Sequence, residues 1–116
     1  MYKIKNMKRV FYIAIIALMV SCTTAEIPLP NISDKTVTYT EDIQPIIFNN
    51  CLTCHSSVNP RNGLILETYD QVKNSAQNGT LIARMNDAAN PMPQSGLLTP
   101  EKRALVDKWK ADGFLE

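Results

Sequence analysis

Apolar residues fill one continuous run near the start of the chain and afterwards recur only in short, spaced groups. The run covers positions 11–20, ten residues in all. As a helix it would rise about 15 Å, which is too little to cross about 30 Å of bilayer hydrocarbon. The later groups have helical spacing and are separated by prolines, glycines and asparagines. This pattern predicts a short leader followed by a small helical domain.

Helix-start and helix-stop residues predict three to four short helices in the second part of the chain. The first is predicted over 41–50, with Thr40 as the N-cap and acidic residues in the first turn. Four residues form its predicted apolar face: Ile43, Ile46, Ile47 and Phe48. The second is predicted over 69–76, because Thr68 and Gln71 have the spacing of a capping box.

The last predicted helix has the clearest boundaries. Thr99 can cap it, Pro100 suits its first position, and Gly113 follows its last turn. The apolar residues that share one of its faces are Leu105, Val106 and Trp109. A shorter helical turn is predicted over 81–85. The apolar residues 64–66 have no second run to pair with, so we expect no sheet and an all-α domain.

The leader is basic at its start and ends at a cysteine. Its four basic residues are Lys3, Lys5, Lys8 and Arg9. A basic start followed by a short apolar core is typical of an export signal. The residues before Cys22, Leu-Met-Val-Ser, resemble the lipobox of bacterial lipoproteins, which implies cleavage before Cys22 and a lipid on its sulfur. The alternative is a plain secretory signal followed by an incidental cysteine.

These features divide the chain into three parts. We predict a lipoprotein signal peptide at 1–21, a lipidated cysteine with a flexible tether at 22–37, and one folded domain over 38–116. The tether prediction rests on Pro28, Pro30 and the lack of apolar periodicity around them. The lipobox resemblance implies export to the periplasm or cell envelope, with the lipid in either the inner or the outer membrane.

Charge is distributed unevenly between the leader and the remainder. The whole chain has 12 basic and 11 acidic residues and a net charge of +1. Removal of the four leader bases leaves eight bases against eleven acids, a net charge of −3. An acidic domain without a basic cluster is not typical of nucleic-acid-binding proteins, so we expect no nucleic-acid partner.

The chemistry-bearing residues follow the first predicted helix directly. Cys51, Cys54 and His55 form the pattern C-x-x-C-H, which is a haem-attachment signature. Two thiols at this spacing can form thioethers with the two vinyl groups of one haem, and the adjacent imidazole can bind its iron. The same residues could instead form a redox dithiol, a structural disulfide or part of a zinc site. Export and the helical context favour covalently attached haem c.

Low residue counts restrict the sixth ligand of such an iron. His55 is the only histidine, so ligation by two histidines of one chain is excluded. Met85 and Met92 are the only methionines after the leader. Met92 is favoured because Pro91 and Pro93 hold the backbone around it extended, whereas Met85 has the pattern of a core residue. An iron that neither methionine binds is the remaining alternative.

The chain resembles a small class I cytochrome c domain of bacterial exported proteins. The similarity covers about residues 37–113 and rests on the helix before the C-x-x-C-H motif, the Met92-Pro93 dipeptide and Trp109 in the last helix. It implies a small cytochrome c-like fold, with three to four short helices around one covalently bound haem. In this family the first and last helices pack together behind the haem, which implies contact between their apolar faces.

The resemblance also implies a role for each residue of the motif. Cys51 and Cys54 correspond to the thioether positions, and His55 and Met92 correspond to the two iron ligands. These ligands are 37 positions apart, a short span for the family. The short span implies short loops around the haem and a more exposed haem edge.

These features together predict a membrane-tethered monohaem electron carrier that exchanges electrons with redox partner proteins. We expect no enzymatic activity, because the chain offers no second histidine for acid–base chemistry and no activated nucleophile. One alternative is a haem-bearing subunit of a larger redox enzyme. The other is a haem-based sensor whose sixth iron position is open.

Several residues near the motif invite more specific expectations. The carbonyl group of Pro60 is predicted to accept a hydrogen bond from His55 and so to orient its ring. Arg61 is either a partner for a haem propionate or a solvated loop residue. Tyr69 and Trp109 are expected to be core aromatic residues without a role in the site.

Overall fold

Four α-helices organise residues 31–116, the part of the chain that the computed structural model describes. They are α1 (Gln44–Asn50), α2 (Tyr69–Gln77), α3 (Leu81–Asn86) and α4 (Pro100–Ala111). This part of the chain contains no strand, so the all-α prediction is confirmed for it. None of its helices is both long and apolar enough to cross a membrane. The predicted signal peptide at 1–21, Cys22 and the first part of the tether lie outside the described residues.

Helix α1 begins earlier than the sequence indicates, through one π-helical turn at Tyr39–Ile43. The N-cap is Thr38, whose hydroxyl oxygen accepts the backbone N–H of Glu41 at 3.4 Å. The prediction of Thr40 as the N-cap was therefore wrong by two residues. Thr38 can act as the cap because its backbone is extended, with φ −115° and ψ 158°, which leaves its side chain free to accept.

The apolar face of α1 differs from the prediction at one residue. Ile43, Ile46 and Ile47 are buried, but Phe48 is 67% exposed. Successive residues of an α-helix are rotated by about 100°, so a side chain that follows Ile47 directly points away from the face that Ile43 and Ile47 share. Of the three residues offered for contact with the last helix, Ile43 and Ile47 belong to the buried core cluster and Phe48 does not.

Helices α2 and α3 follow their predicted positions closely. The hydroxyl oxygen of Thr68 accepts the N–H of Gln71, and the Gln71 side chain accepts the N–H of Thr68, which confirms the predicted capping box. Helix α2 ends at Gln77, and α3 covers Leu81–Asn86, one residue beyond the predicted turn.

Helix α4 has the predicted signals at both ends. The side chain of Thr99 accepts from Lys102 at 3.5 Å, and Pro100 occupies the first helical position. After the helix, the N–H of Gly113 donates to Lys110 and that of Phe114 donates to Trp109, the two bonds of a Schellman motif. This motif requires a positive φ at Gly113, where φ is +87°, and glycine adopts that conformation without steric cost.

Residues from the beginning and from the end of the described chain pack together in the hydrophobic core. Trp109 is fully buried, and its ring centroid lies 5.9 Å from that of Tyr39 and 4.9 Å from that of Phe114. Tyr69 adds an edge-on contact to Tyr39 at 5.4 Å. Ile43 and Ile47 belong to the same buried cluster as Trp109, so the expected packing of the first helix against the last is present through these residues.

Hydrogen bonds join the two ends of the described chain. The N–H of Val37 donates to the Asp112 carboxylate at 3.2 Å, and the N–H of Tyr39 donates to the carbonyl of Leu115 at 2.8 Å. The indole N–H of Trp109 donates to the same carbonyl at 2.7 Å. Val37, at the end of the predicted tether, is fully buried, so the packed part of the chain begins no later than this residue.

Candidate functional site

A cavity of about 530 Å³ opens between the loop after α1 and the loop after α3. It is lined by all four residues predicted to bind haem or its iron: Cys51, Cys54, His55 and Met92. Met85, the other candidate ligand, also lines it. The volume is within the range of about 300–1,000 Å³ that is typical of cofactor sites. The fold therefore brings together residues that are up to 41 positions apart in the sequence.

The end of α1 positions the C-x-x-C-H motif. The N–H of Cys51 still donates to Ile47 at 2.8 Å, so Cys51 continues from the last turn of the helix. The N–H groups of Cys54 and His55 then both donate to the carbonyl of Cys51, at 3.1 and 2.9 Å. These two bonds fold the motif into a tight turn, which holds both thiols and the imidazole at the edge of one cavity.

Both cysteines of the motif are free thiols in this structure, and both are partly buried. Burial, reinforced by the neighbouring Cys54, raises the pKa of the Cys51 thiol to about 11. Cys51 is therefore protonated at neutral pH, and in this buried environment its thiol is a weak nucleophile. Such a thiol is poorly suited to dithiol exchange, which requires a thiolate.

The imidazole of His55 is oriented by a backbone carbonyl, although not by the predicted one. Nδ1 of His55 lies 3.3 Å from the carbonyl oxygen of Leu64, to which an Nδ1–H donates. The carbonyl of Pro60 instead accepts from Gly63 in a 3₁₀ turn at Arg61–Gly63. The expectation for Pro60 was wrong because this turn engages its carbonyl and brings Leu64 back toward the histidine. With Nδ1 bonded in this way, Nε2 is the nitrogen left to bind a metal.

The loop after α3 carries Met92. The N–H of Met92 donates to the carbonyl of Arg84 at 3.0 Å, which ties the loop to the helix before it. The carboxylate of Asp87 accepts the N–H groups of Ala89 and Asn90 and stabilises the first bend of the loop. Met92 is partly exposed and lines the cavity.

Met85 reaches the same cavity from α3, and its environment differs from that of Met92. Its side chain is only 3% exposed and belongs to the hydrophobic core cluster. Met85 therefore has the packing that the sequence predicts for a core residue. The preference for Met92 as an iron ligand remains a prediction, since both thioethers border the cavity.

The charged residues that line the cavity are basic. They are Arg61 and Arg84, and none of the described residues that line the cavity carries a carboxylate. The sequence indicated Arg61 but not Arg84, although Arg84 precedes the candidate ligand Met85 directly. Two guanidinium groups at one cavity favour a ligand that carries negative charge, such as a molecule with carboxylate groups.

The other expectations near the site concern aromatic residues and metal-binding clusters. Tyr69 and Trp109 lie in the aromatic core and do not line the cavity, as predicted. Within residues 31–116 no group of three or more His, Cys, Asp or Glu side chains is arranged to hold a metal ion. The zinc alternative therefore has no assembled ligand set in this part of the chain.

The cavity presents a limited set of reactive groups to a ligand. It offers two thiols, one imidazole nitrogen, two thioethers and two guanidinium groups. No family model matches this chain, and neither the curated proteins nor the solved structures include a significant match to it.

Proposed function

We propose that residues 38–116 form a small cytochrome c-like domain that carries electrons by means of one covalently attached haem c. The observation that carries this proposal is the convergence of Cys51, Cys54, His55 and Met92 on one cavity of about 530 Å³. The motif alone predicts attachment of the haem. The cavity adds Met92 from a distant loop, whose thioether would be available as a second ligand to the iron of a haem held by His55.

The chemistry of the lining residues fits this cofactor. A haem needs two thiols for its vinyl groups, an imidazole for its iron, apolar walls for its ring and cationic partners for its two propionates. The apolar walls here are Leu64, Leu66, Leu81 and Met85. Arg84 is available to a propionate, and Arg61, the other cationic lining residue, donates its Nη1 to Gln94. Among residues 31–116, no acidic side chain that would repel the propionates lines the cavity.

The protein's own residues determine how such a haem would behave. When bound, the haem supplies the one-electron redox chemistry. His55 is oriented by the Leu64 carbonyl at Nδ1 and would bind the iron through Nε2, the nitrogen that this hydrogen bond leaves free. Met92 offers a neutral thioether, which raises the reduction potential relative to a second histidine. The partial exposure of Met92 and His55 leaves an edge of the cavity open to a partner protein.

The proposal includes the attachment of the domain to a membrane. A signal peptide at 1–21 would direct export, and a lipid on Cys22 would anchor the tether and the domain behind it. Within the described part of the chain the cavity is lined by residues 50–94, whereas the tether joins the domain at Val37. The anchor and the cavity therefore involve separate parts of the chain.

The decisive experiment is expression of the full chain in a bacterial host that attaches haem to exported proteins. The purified protein should keep its haem after unfolding, gain the mass of one haem and give a low-spin spectrum in both redox states. A variant with Cys51→Ala and Cys54→Ala should lose the covalent haem, whereas Cys22→Ser should keep it and lose the membrane attachment. A wild-type protein without covalent haem would refute the proposal.

The same preparation distinguishes the carrier from the two alternatives. A carrier with Met92 bound should react little with carbon monoxide when reduced, because the sixth iron position is filled. A sensor with an open position should bind carbon monoxide at once and shift its absorption spectrum. A permanent subunit should co-purify with a larger enzyme from its native membrane, whereas a carrier should migrate alone.

A further inference from the structure

One side-chain hydrogen bond joins two exposed residues that line the cavity. Nη1 of Arg61 donates to Oε1 of Gln94 at 2.8 Å, and both residues line the cavity. Arg61 lies in the turn that follows the C-x-x-C-H motif, and Gln94 lies two residues after Met92. Within residues 31–116 this is the one hydrogen bond that joins the segment 51–66 to the loop 87–98.

The two residues are anchored on opposite sides of this bond. The N–H of Arg61 donates to the carbonyl of Cys54 at 2.9 Å, so its backbone is fastened to the motif. On the other side, the N–H of Gly96 donates to Pro93 at 3.1 Å and forms a turn that presents Gln94. A bond between two anchored elements limits how far the loop and the motif can separate.

We propose that the Arg61–Gln94 hydrogen bond is a strap that keeps the Met92 loop closed over the cavity and thereby holds Met92 on the iron. The inference rests on the proposed function, because it concerns the ligand of a bound haem. Arg61 and Gln94 are positioning residues in it and touch neither the iron nor the thioether. Arg61 is thus assigned to the distal loop rather than to a propionate or to solvent.

The strap would act by keeping the loop closed, because Met92 leaves the iron whenever the loop opens. A thioether is a weak donor, so its occupancy depends on how often the loop brings it to the iron. Both strap residues are exposed, so the bond contributes only as much as an ordinary hydrogen bond in contact with water. Its loss should increase the population of the open loop by about 5-fold.

The test is a titration of the oxidised holoprotein with imidazole, which binds the iron when Met92 leaves. Loss of the far-red absorption of the iron–thioether bond reports the displacement. Gln94→Ala and Arg61→Ala should each lower the apparent Kd for imidazole by about 5-fold. The double variant should match the single variants, because both substitutions remove the same bond. Gln94→Glu should keep the Kd for imidazole at the wild-type value or raise it, because the carboxylate still accepts from Arg61 and adds a negative charge.

Two controls separate this effect from a loss of stability. Gln77→Ala removes an exposed glutamine from α2, away from the cavity, and should leave the Kd for imidazole unchanged. Thermal unfolding of the strap variants should show a loss of global stability no larger than one solvent-exposed hydrogen bond explains. A larger loss would contradict a bond that acts on the Met92 loop alone.

The outcomes are distinguishable from a failure of the proposed function. If the wild type has covalent haem and the thioether absorption but Gln94→Ala leaves the Kd unchanged, the strap is refuted and the electron carrier stands. An effect of Arg61→Ala alone would also refute the strap, and would assign Arg61 to a propionate. A wild type without covalent haem would refute both proposals.

Discussion

Two methionines border the cavity, and they differ in burial and in the element that carries them. Met85 is 3% exposed and lies on α3, where it belongs to the hydrophobic core. Met92 is partly exposed and lies on a loop whose backbone is tied to Arg84. A ligand on a loop can adjust to the iron without disturbing the core, whereas a core methionine would leave a gap behind it. We therefore retain Met92 as the proposed ligand.

Substitution of each methionine should separate these roles. Met92→Ala should abolish the iron–thioether absorption, lower the reduction potential and allow carbon monoxide to bind the reduced protein, because the sixth position is opened. Met85→Ala should preserve that absorption and reduce the free energy of unfolding by about 2–5 kcal/mol, since it leaves a cavity in the core. Absorption spectra and denaturant unfolding measure both effects. Loss of the absorption in Met85→Ala alone would reverse the assignment.

The carboxylate of Asp112, at the C-terminal end of α4, bonds to the backbone near the beginning of the described chain. Asp112 accepts the N–H of Val37 at 3.2 Å and the ammonium group of Lys108 at 2.9 Å. These hydrogen bonds lower the pKa of Asp112 below its ordinary value. The sequence identified Gly113 as the end of this helix, but it did not indicate that Asp112 would reach a residue 75 positions away.

This contact predicts a pH-dependent contribution to stability. A carboxyl group whose pKa is lowered by folding stabilises the fold above its unfolded pKa of about 3.9, and the contribution disappears as the pH falls through the lower folded value. Asp112→Ala should therefore lower the Tm at neutral pH, and the difference from wild type should shrink below about pH 3. Asp107→Ala, on the exposed side of the same helix, is the matched control. An equal loss at both pH values would contradict a role for the ionised carboxylate.

At the level of the whole molecule, the aromatic cluster and the cavity are built from different parts of the chain, while Leu66, Leu81 and Met85 belong both to the hydrophobic core and to the cavity wall. Residues 50–94 line the cavity, whereas the aromatic core joins Tyr39 to Trp109 and Phe114. A domain of this size buries only about 60% of the surface that its unfolded chain exposes. The hydrophobic core, with the aromatic cluster in it, must therefore provide much of the stability before any cofactor is attached.

Two aromatic residues test this division. Trp109 is fully buried and Phe48 is 67% exposed, although the sequence placed both in the packing between the first and last helices. Trp109→Ala should reduce the free energy of unfolding by about 3–5 kcal/mol, because it removes the centre of the aromatic core. Phe48→Ala should change it by less than about 0.5 kcal/mol, as expected for an exposed side chain. Denaturant unfolding of the two variants measures the difference, and similar losses would contradict the observed packing.

The sequence by itself determined the helical character of the domain, most helix boundaries and the residues that could bind haem. These features depend on local signals: a capping box at Thr68, a proline at position 100, a glycine at position 113, and three reactive residues within five positions. Local signals act through the backbone of neighbouring residues, so one sequence is enough to identify them.

Only the tertiary structure decided which residues meet across long separations. It assigned Leu64 rather than Pro60 to His55, exposed Phe48, added Arg84 to the cavity and joined Arg61 to Gln94. Each of these outcomes depends on how loops return over the helices, and residue type does not specify that path. An apolar or charged side chain can contact several other residues equally well, and the packing of the whole chain selects one of these contacts.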